Sequence, residues 1–403
     1  VVKANLKALN FIVINIAIIY VVLYNSIFFN QNKYLIWVIG LIIFSYIFVH
    51  TLIYKSLNFY SKTEIILFIF IIYMFSSFTW SSNGKLVLKE SVLIVFVSLL
   101  AVFITRMITF NEFFYHLVIA YILITLASIL NILFNSEFGI DKYGEWIGVF
   151  HHKNVLGINM AFFSVILLIA VKNSTKRTSK AIYFLFLLLA FLLLWNSKSS
   201  TALIVVVLSI FVLSVFFILK LKFSKRRFVY FQLFILIVVS TLSLIIFYFV
   251  INNLNSLLNI LGKDATFTGR NYIWDIAING ILKHPIIGNG IRSYWFDYKS
   301  NSVNYYLPWG QGIWHSHNAF LELLLQFGVI GGVFFVILYT VNFCISLNKF
   351  VKSENIISYF SLICLLFLVI SNLTETYLFG IEINFWFIFV CLTAYLTNSK
   401  LGK

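Results

Sequence analysis

The chain has 403 residues, of which 62% are hydrophobic, 19% aromatic and only 10% charged, with a mean hydropathy of +0.99. No water-soluble globular domain of this length has such a composition, so most of the surface must face lipid. The net charge of +16 would suit a nucleic-acid binder only if it formed a basic face on a soluble domain. Here the basic residues lie between apolar runs, which excludes that class.

In lipid every backbone polar group must be satisfied inside its own helix or in a closed barrel. The apolar runs are long and lack the alternation of period two that a barrel strand needs, so the expected fold is an all-α polytopic membrane bundle. With about 20 apolar residues per span, about twelve transmembrane helices are expected. In chain order they fall near 9–29, 34–54, 63–80, 86–105, 113–134, 154–171, 181–196, 200–219, 228–251, 319–347, 355–374 and 380–397. Three regions follow: helices 1–9 in residues 1–251, a long loop at 252–318, and helices 10–12 in 319–403. The first run lacks a small-residue cleavage site and reads directly as a span. Pro285 and Pro308 both fall in the long loop and not inside a span, as the helix-breaking geometry of proline requires. Cys344, Cys364 and Cys391 lie in apolar runs without metal or redox spacing and read as packing residues.

Lys and Arg are retained on the cytoplasmic side of short loops. The clusters KNSTKRTSK (172–180) and KLKFSKRR (220–227) are two spans apart and so share a side. That parity puts both termini and well over half of the 29 basic residues in the cytoplasm. Lys153, Lys198, Arg270, Lys283 and Arg292 are left on the outer side, against the rule. Cations held at an outer interface call for an anionic substrate group, an ion pair or lipid headgroups.

The loop at 252–318 is far longer than an ordinary helix connection. Within it, Asn271, Asp275, Asn279 and Lys283 recur every four residues, with Ile273, Trp274, Ala277, Ile278 and Ile281 opposite. This predicts an amphipathic helix lying at the acyl boundary or against the bundle. HPIIGNG (284–290) supplies a stop and a glycine-rich turn able to bring backbone amides near an anion.

Four segments then carry a family resemblance: WIGVFHHKNVLG (146–157), NSKSSTALI (196–204), FTGRNYIWDIAINGILKHPIIGNGIRSYWF (267–296) and HSHNAFLELLLQFGVIGG (315–332). In order and location they resemble the signature segments of the O-antigen ligase and polysaccharide polymerase superfamily. The spacing His317-Asn318, nine residues, Gly328, two residues, Gly331 is similar to the ligase-type pattern. The resemblance implies a GT-C-like membrane glycosyltransferase of the bacterial inner membrane. It would take a glycan from undecaprenyl diphosphate on the periplasmic side or cell exterior, with no cofactor and no metal. The implied partners are a lipid-linked donor and acceptor, membrane lipid and a chain-length regulator protein.

The chemistry assigns residues separately from the family. A departing diphosphate needs positive charge, and a planar guanidinium binds phosphate oxygens in a bidentate way. Arg270 is the expected donor-side group, with Arg292, Lys198 and Lys153 in support. The acceptor hydroxyl needs a proton acceptor near neutral pH, which a histidine supplies. His317 is expected in that role, with Asn318 and Glu322 sharing a helical face beside it and with His315 and His152 lining the site. Glu322 would either orient His317 or pair with an outer Arg. HKN-x-LG, SKSST and WHSHN look more like polymerases of O-antigen, capsule or exopolysaccharide than lipopolysaccharide ligases. The alternatives are a ligase delivering glycan to lipid A-core, and a transporter or flippase of lipid-linked glycan, although no repeat relates the two halves as transporter folds often show.

Overall fold

The computed structural model describes residues 2–24, 26–27, 33–53, 61–222, 269–297, 302–308, 310, 312–353, 355–380 and 382–397. The span expected at 228–251, and Phe267 and Thr268 of the third signature segment, lie outside the described residues. The α-helices among the described residues are α1 (Val2–Leu23), α2 (Lys33–Ile53), α3 (Lys62–Ser76), α4 (Gly84–Met107), α5 (Phe110–Phe134), the single turn α6 (Ser136–Gly139), α7 (Lys153–Asn173), α8 (Arg177–Asn196), α9 (Ser200–Lys222), α10 (Arg270–Lys283), α11 (Ala319–Lys352), α12 (Ile356–Asn372) and α13 (Asn384–Thr397). Strand among the described residues is confined to β1 (Phe296–Asp297) and β2 (Ser302–Val303), paired antiparallel.

Among the described residues, seven helices are long and apolar enough to cross a membrane, and four shorter apolar helices fall on other expected spans. The protein is thus an all-α polytopic membrane protein. Its ends are set by local chemistry. Thr109 and Glu112 form a reciprocal capping box at the start of α5, and the Ser61 hydroxyl accepts the Glu64 amide at the start of α3, each satisfying helix-terminal donors.

Burial separates centre from rim. The α7 segment is 83% buried, while the spans of α2 and α8 are 28% and 22% buried. Around α7 the core is aromatic: Phe162 meets Phe360, Phe367 and Phe385 with ring centroids 5.2–6.3 Å apart, within the range of favourable ring pairs. Cys364 and Cys391 are buried in this core, in keeping with a packing role. At the end opposite the long loop, Arg106 of α4 forms a buried ion pair with Glu64 of α3.

α11 has 34 residues and would run about 50 Å as one straight helix, well beyond the roughly 30 Å hydrocarbon core. It is broken at Gly328, with φ 60° and ψ −165°. The HPIIGNG segment is inserted into the break. Val329 N donates to Pro285 O and Ile330 N to Ile286 O, while Asn289 N and Gly290 N donate to Leu325 O and Gln326 O. The two backbones approach so closely that a Cβ on Gly328 would lie 2.3 Å from Ile286 carbonyl atoms, and one on Gly288 2.4 Å from those of Gln326. Tyr73 of α3 clamps the junction by donating to Phe327 O at 2.9 Å and Ile287 O at 3.2 Å. The amides expected to face an anion are therefore committed to α11 carbonyls. Gly328 and Gly288 serve backbone crossing.

The amphipathic helix is α10, and it packs on the protein. Ile273, Ala277 and Gly280 are its buried face, joined by Trp295, Leu307, Ile313 and Leu325 of α11 in a small satellite core.

Candidate active site

Loops from several parts of the chain meet at one end of the bundle. Ser81 donates to Ser293 at 2.7 Å, Asn83 to Phe296 O at 3.2 Å, and Asn318 to Leu373 O at 3.1 Å. Between them lies a cavity of about 890 Å³ lined by Arg270, Arg292, His152, His315, His317 and Glu375, among others. Five of these six were expected from the sequence; Glu375 was not.

Glu375 is the hub. It sits between α12 and α13, 4% exposed. Its turn is shaped by the Asn372 side chain, which accepts the amides of Tyr377 and Leu378 at 2.9 and 3.0 Å. Three donors reach its carboxylate: Arg270 Nη2 at 3.1 Å, Asn154 Nδ2 at 3.1 Å and His317 Nδ1 at 2.9 Å. An ionised carboxylate only accepts, so His317 Nδ1 carries the proton and Nε2 is left as the basic atom of the ring. Arg270, the first residue of α10, spends one terminal nitrogen on Glu375. Among the described residues its other guanidinium donors meet no partner, which leaves them for an anion in the cavity.

The neighbouring residue, Thr376, holds the second histidine. Its Oγ1 lies 2.8 Å from His315 Nδ1, which also accepts the His317 amide at 3.2 Å. Nδ1 of His315 therefore acts as an acceptor. Burial, reinforced by His317 and the nearby cations, keeps the pKa of His315 well below its ordinary 6.5, so this ring stays neutral. His315, His317 and Glu375 also present ligand atoms within 4.8 Å of one another, a donor set suited to a divalent cation. Arg270 and Asn154 already engage Glu375 Oε1, and Thr376 engages His315 Nδ1.

Arg292 forms a second cation–carboxylate pair, 3.4 Å from Glu90 of α4, with its guanidinium 4.6 Å from the Phe296 ring centroid. Arg292, His317 and Lys198 are the non-glycine residues at positive φ among the described residues (56°, 51° and 51°). Such backbone costs about 1–3 kcal/mol per residue and persists where surrounding structure over-determines it.

The other sequence candidates sit elsewhere. Glu322 does not line the cavity. It is buried beneath it, accepting from Trp295 Nε1 at 2.9 Å, Ser316 N at 2.9 Å and Gln326 Nε2 at 2.7 Å. It therefore neither orients His317 nor pairs with an arginine; it fixes the loop that carries both histidines. Asn318 caps α11, its Oδ1 accepting from Phe320 N and Leu321 N. Lys153 pairs with Glu145 at 2.7 Å, and Lys198 is exposed; neither lines the cavity. The missed Glu375 left one signal, as an acid in an apolar stretch of a chain with only 13 Asp and Glu, and such acids are functional candidates by default.

Residues 183–336 match the O-antigen ligase family model. That stretch contains Arg270, Arg292, His315 and His317 but not His152, Asn154 or Glu375. Over 102 residues the chain is 28% identical to the exopolysaccharide production protein ExoQ of Rhizobium meliloti. The alignment covers 24% of this chain and 23% of that protein, so less than a quarter of the relative is spanned. The family match falls on the stretch that carries three of the four signature segments and four of the six cavity residues named above, so this part of the chain is similar to the O-antigen ligase family.

Proposed function

We propose that this protein is a membrane glycosyltransferase that polymerises lipid-linked oligosaccharide repeats. It would transfer the growing glycan from one polyprenyl diphosphate to a hydroxyl of a second lipid-linked repeat, in a cavity open to the outer side of the inner membrane. The observation that carries this reading is the bridge by which one carboxylate, Glu375, holds both the basic histidine and the anion-binding arginine.

In the reaction the acceptor oxygen attacks the anomeric carbon of the donor. A new C–O bond forms as the anomeric C–O bond to the diphosphate breaks, and the diphosphate leaves with the electron pair. His317 Nε2 takes the hydroxyl proton, and Glu375 stabilises the resulting imidazolium through Nδ1–H. Arg270 and Arg292 stabilise negative charge on the leaving diphosphate. No step calls for a metal, and a chelator tests that directly.

A second reading is favoured by the description of the matching family: a ligase that delivers the glycan to a lipid A-core acceptor. The two readings share the donor half and differ in the acceptor. The test is reconstitution with a purified undecaprenyl-diphosphate repeat alone. A ladder of longer lipid-linked products supports the polymerase, whereas transfer only after lipid A-core is added would overturn it in favour of the ligase.

A further inference from the structure

Lys153 and Lys198 of two signature segments, HKNVLG (152–157) and SKSS (197–200), do not line the cavity, which leaves those segments without a role in the reaction beyond His152 at its wall. Their structural meeting point is Asn154. Its Nδ2 donates to Glu375 Oε1 at 3.1 Å, and its Oδ1 accepts the Ser199 hydroxyl at 3.0 Å. The second bond fixes the first: with Ser199 donating to the oxygen, the amide nitrogen must face the carboxylate.

Ser199 is held in turn. It lies just before α9, is buried, and its oxygen accepts the Ala202 amide at 3.4 Å. It can reach Asn154 only because α7 and the 197–202 segment come into near contact, and Gly157 permits that. A Cβ on Gly157 would lie 2.8 Å from Ser199 Cβ, 3.0 Å from Ser197 Oγ and 3.1 Å from Ala202 Cβ. Gly157 is three residues beyond Asn154, hence on the same side of α7.

We infer that Asn154 is a positioning residue for Glu375, set by Ser199 and Gly157, and that the two segments together form one device that aims the carboxylate at His317 and Arg270. The inference rests on the proposed roles of Glu375 and His317. Asn154 touches neither reacting group and acts through the carboxylate, so its removal should slow turnover and leave donor binding intact.

The experiment compares Asn154→Asp, Asn154→Ala, Ser199→Ala and the double variant Asn154→Ala/Ser199→Ala with wild type, in detergent and after reconstitution. Asn154→Asp is isosteric and keeps the Ser199 bond, which protects folding. It should lower kcat on the order of 10- to 100-fold, the scale of a misplaced catalytic group; KM for the lipid-linked repeat is read in Asn154→Ala, which adds no charge beside Arg270 and should leave it unchanged. Ser199→Ala should lose less, and nothing further once Asn154 is Ala, because coupled residues in one chain of contacts are not additive. A wild-type kcat in Asn154→Asp, a raised KM in place of a lowered kcat in Asn154→Ala, or strict additivity in the cycle would overturn the inference. A second readout stands apart from activity. In 15N spectra of histidine-labelled protein, the His317 signal, identified by its loss in His317→Gln, should shift toward the other tautomer in Asn154→Asp. An unchanged tautomer would overturn the inference even if wild-type protein built no polymer, and the absence of polymer from wild type alone would count against the proposed function instead.

Discussion

Substituting Glu375 by Gln separates charge from shape at the centre of the site. In the native arrangement the carboxylate accepts from Arg270 Nη2, Asn154 Nδ2 and His317 Nδ1 at 2.9–3.1 Å. Glutamine keeps one acceptor oxygen, which Arg270 and Asn154 can retain on the Oε1 side. The Oε2 position becomes an NH2 facing His317. Two donors cannot face each other at 2.9 Å, so the imidazole must present a bare Nδ1 and carry its proton on Nε2. The base is then blocked, and loss of the correct tautomer and of imidazolium stabilisation predicts a fall in kcat on the order of 10² to 10⁴ fold. Stability should suffer less. The Arg270 side chain is 14% exposed and that of Glu375 5%, so the charge left behind is partly relieved by cavity water. The loss should be near that of one charged hydrogen bond, about 1.5–3 kcal/mol, and not the larger cost of stranding a fully enclosed ion. The assay is the product ladder from a purified lipid-linked repeat, with donor affinity and thermal unfolding measured on the same preparation. Folded Glu375→Gln protein that retains wild-type kcat would refute the assignment of His317 as base and Glu375 as its partner.

Arg270→Ala should weaken donor binding as well as turnover, and Arg270→Lys should restore only part of both, because a point charge replaces a planar fork; equal donor affinity in all three proteins would move the diphosphate site elsewhere. Gly288→Ala and Gly328→Ala should each prevent stable folding, since the added Cβ would lie 2.3–2.4 Å from backbone atoms at positive φ; recovery of either variant at wild-type levels with an unchanged melting temperature would contradict the backbone crossing. His315 is held neutral by burial and nearby cations, so the unfolded chain binds the extra proton first as pH falls. The stabilisation is therefore complete above pH 6.5 and declines as pH drops below it toward the depressed folded value, and His315→Gln should flatten that decline in the melting temperature. Excess chelator should leave the product ladder of the wild-type protein unchanged, and its loss with recovery on adding a divalent cation would assign His315, His317 and Glu375 to a metal.

Much of the architecture was legible because lipid imposes a simple rule on the chain. Runs of about 20 apolar residues must be helices, and the described ones are. The amphipathic repeat from Asn271 to Lys283 was equally plain and became α10. The histidines and arginines of the cavity could be found because the sequence reading set apart the polar and cationic groups that broke the positive-inside pattern and asked each for a reason.

Glu375 could be seen but not placed. It is 58 residues from His317, and their meeting depends on how α11 packs with α12 and α13, which no local pattern encodes. Glu322 was misdirected by a helical-face argument. Asn318 is the extended N-cap that precedes α11, its side chain reaching Leu373 O, whereas Glu322 inside the helix faces Trp295 and the loop beneath the cavity. Lys153 and Lys198 were chosen on charge, whereas Asn154 and Ser199, their uncharged neighbours in the same two segments, reach the site. In this bundle charge marked the cavity, and the neutral groups beside it set its geometry. Long cationic side chains can find water or a surface carboxylate from many positions, so their presence locates a face. A short amide or hydroxyl bonds only where two backbones are brought close, as Gly157 allows here, and that closeness emerges only from the packed fold.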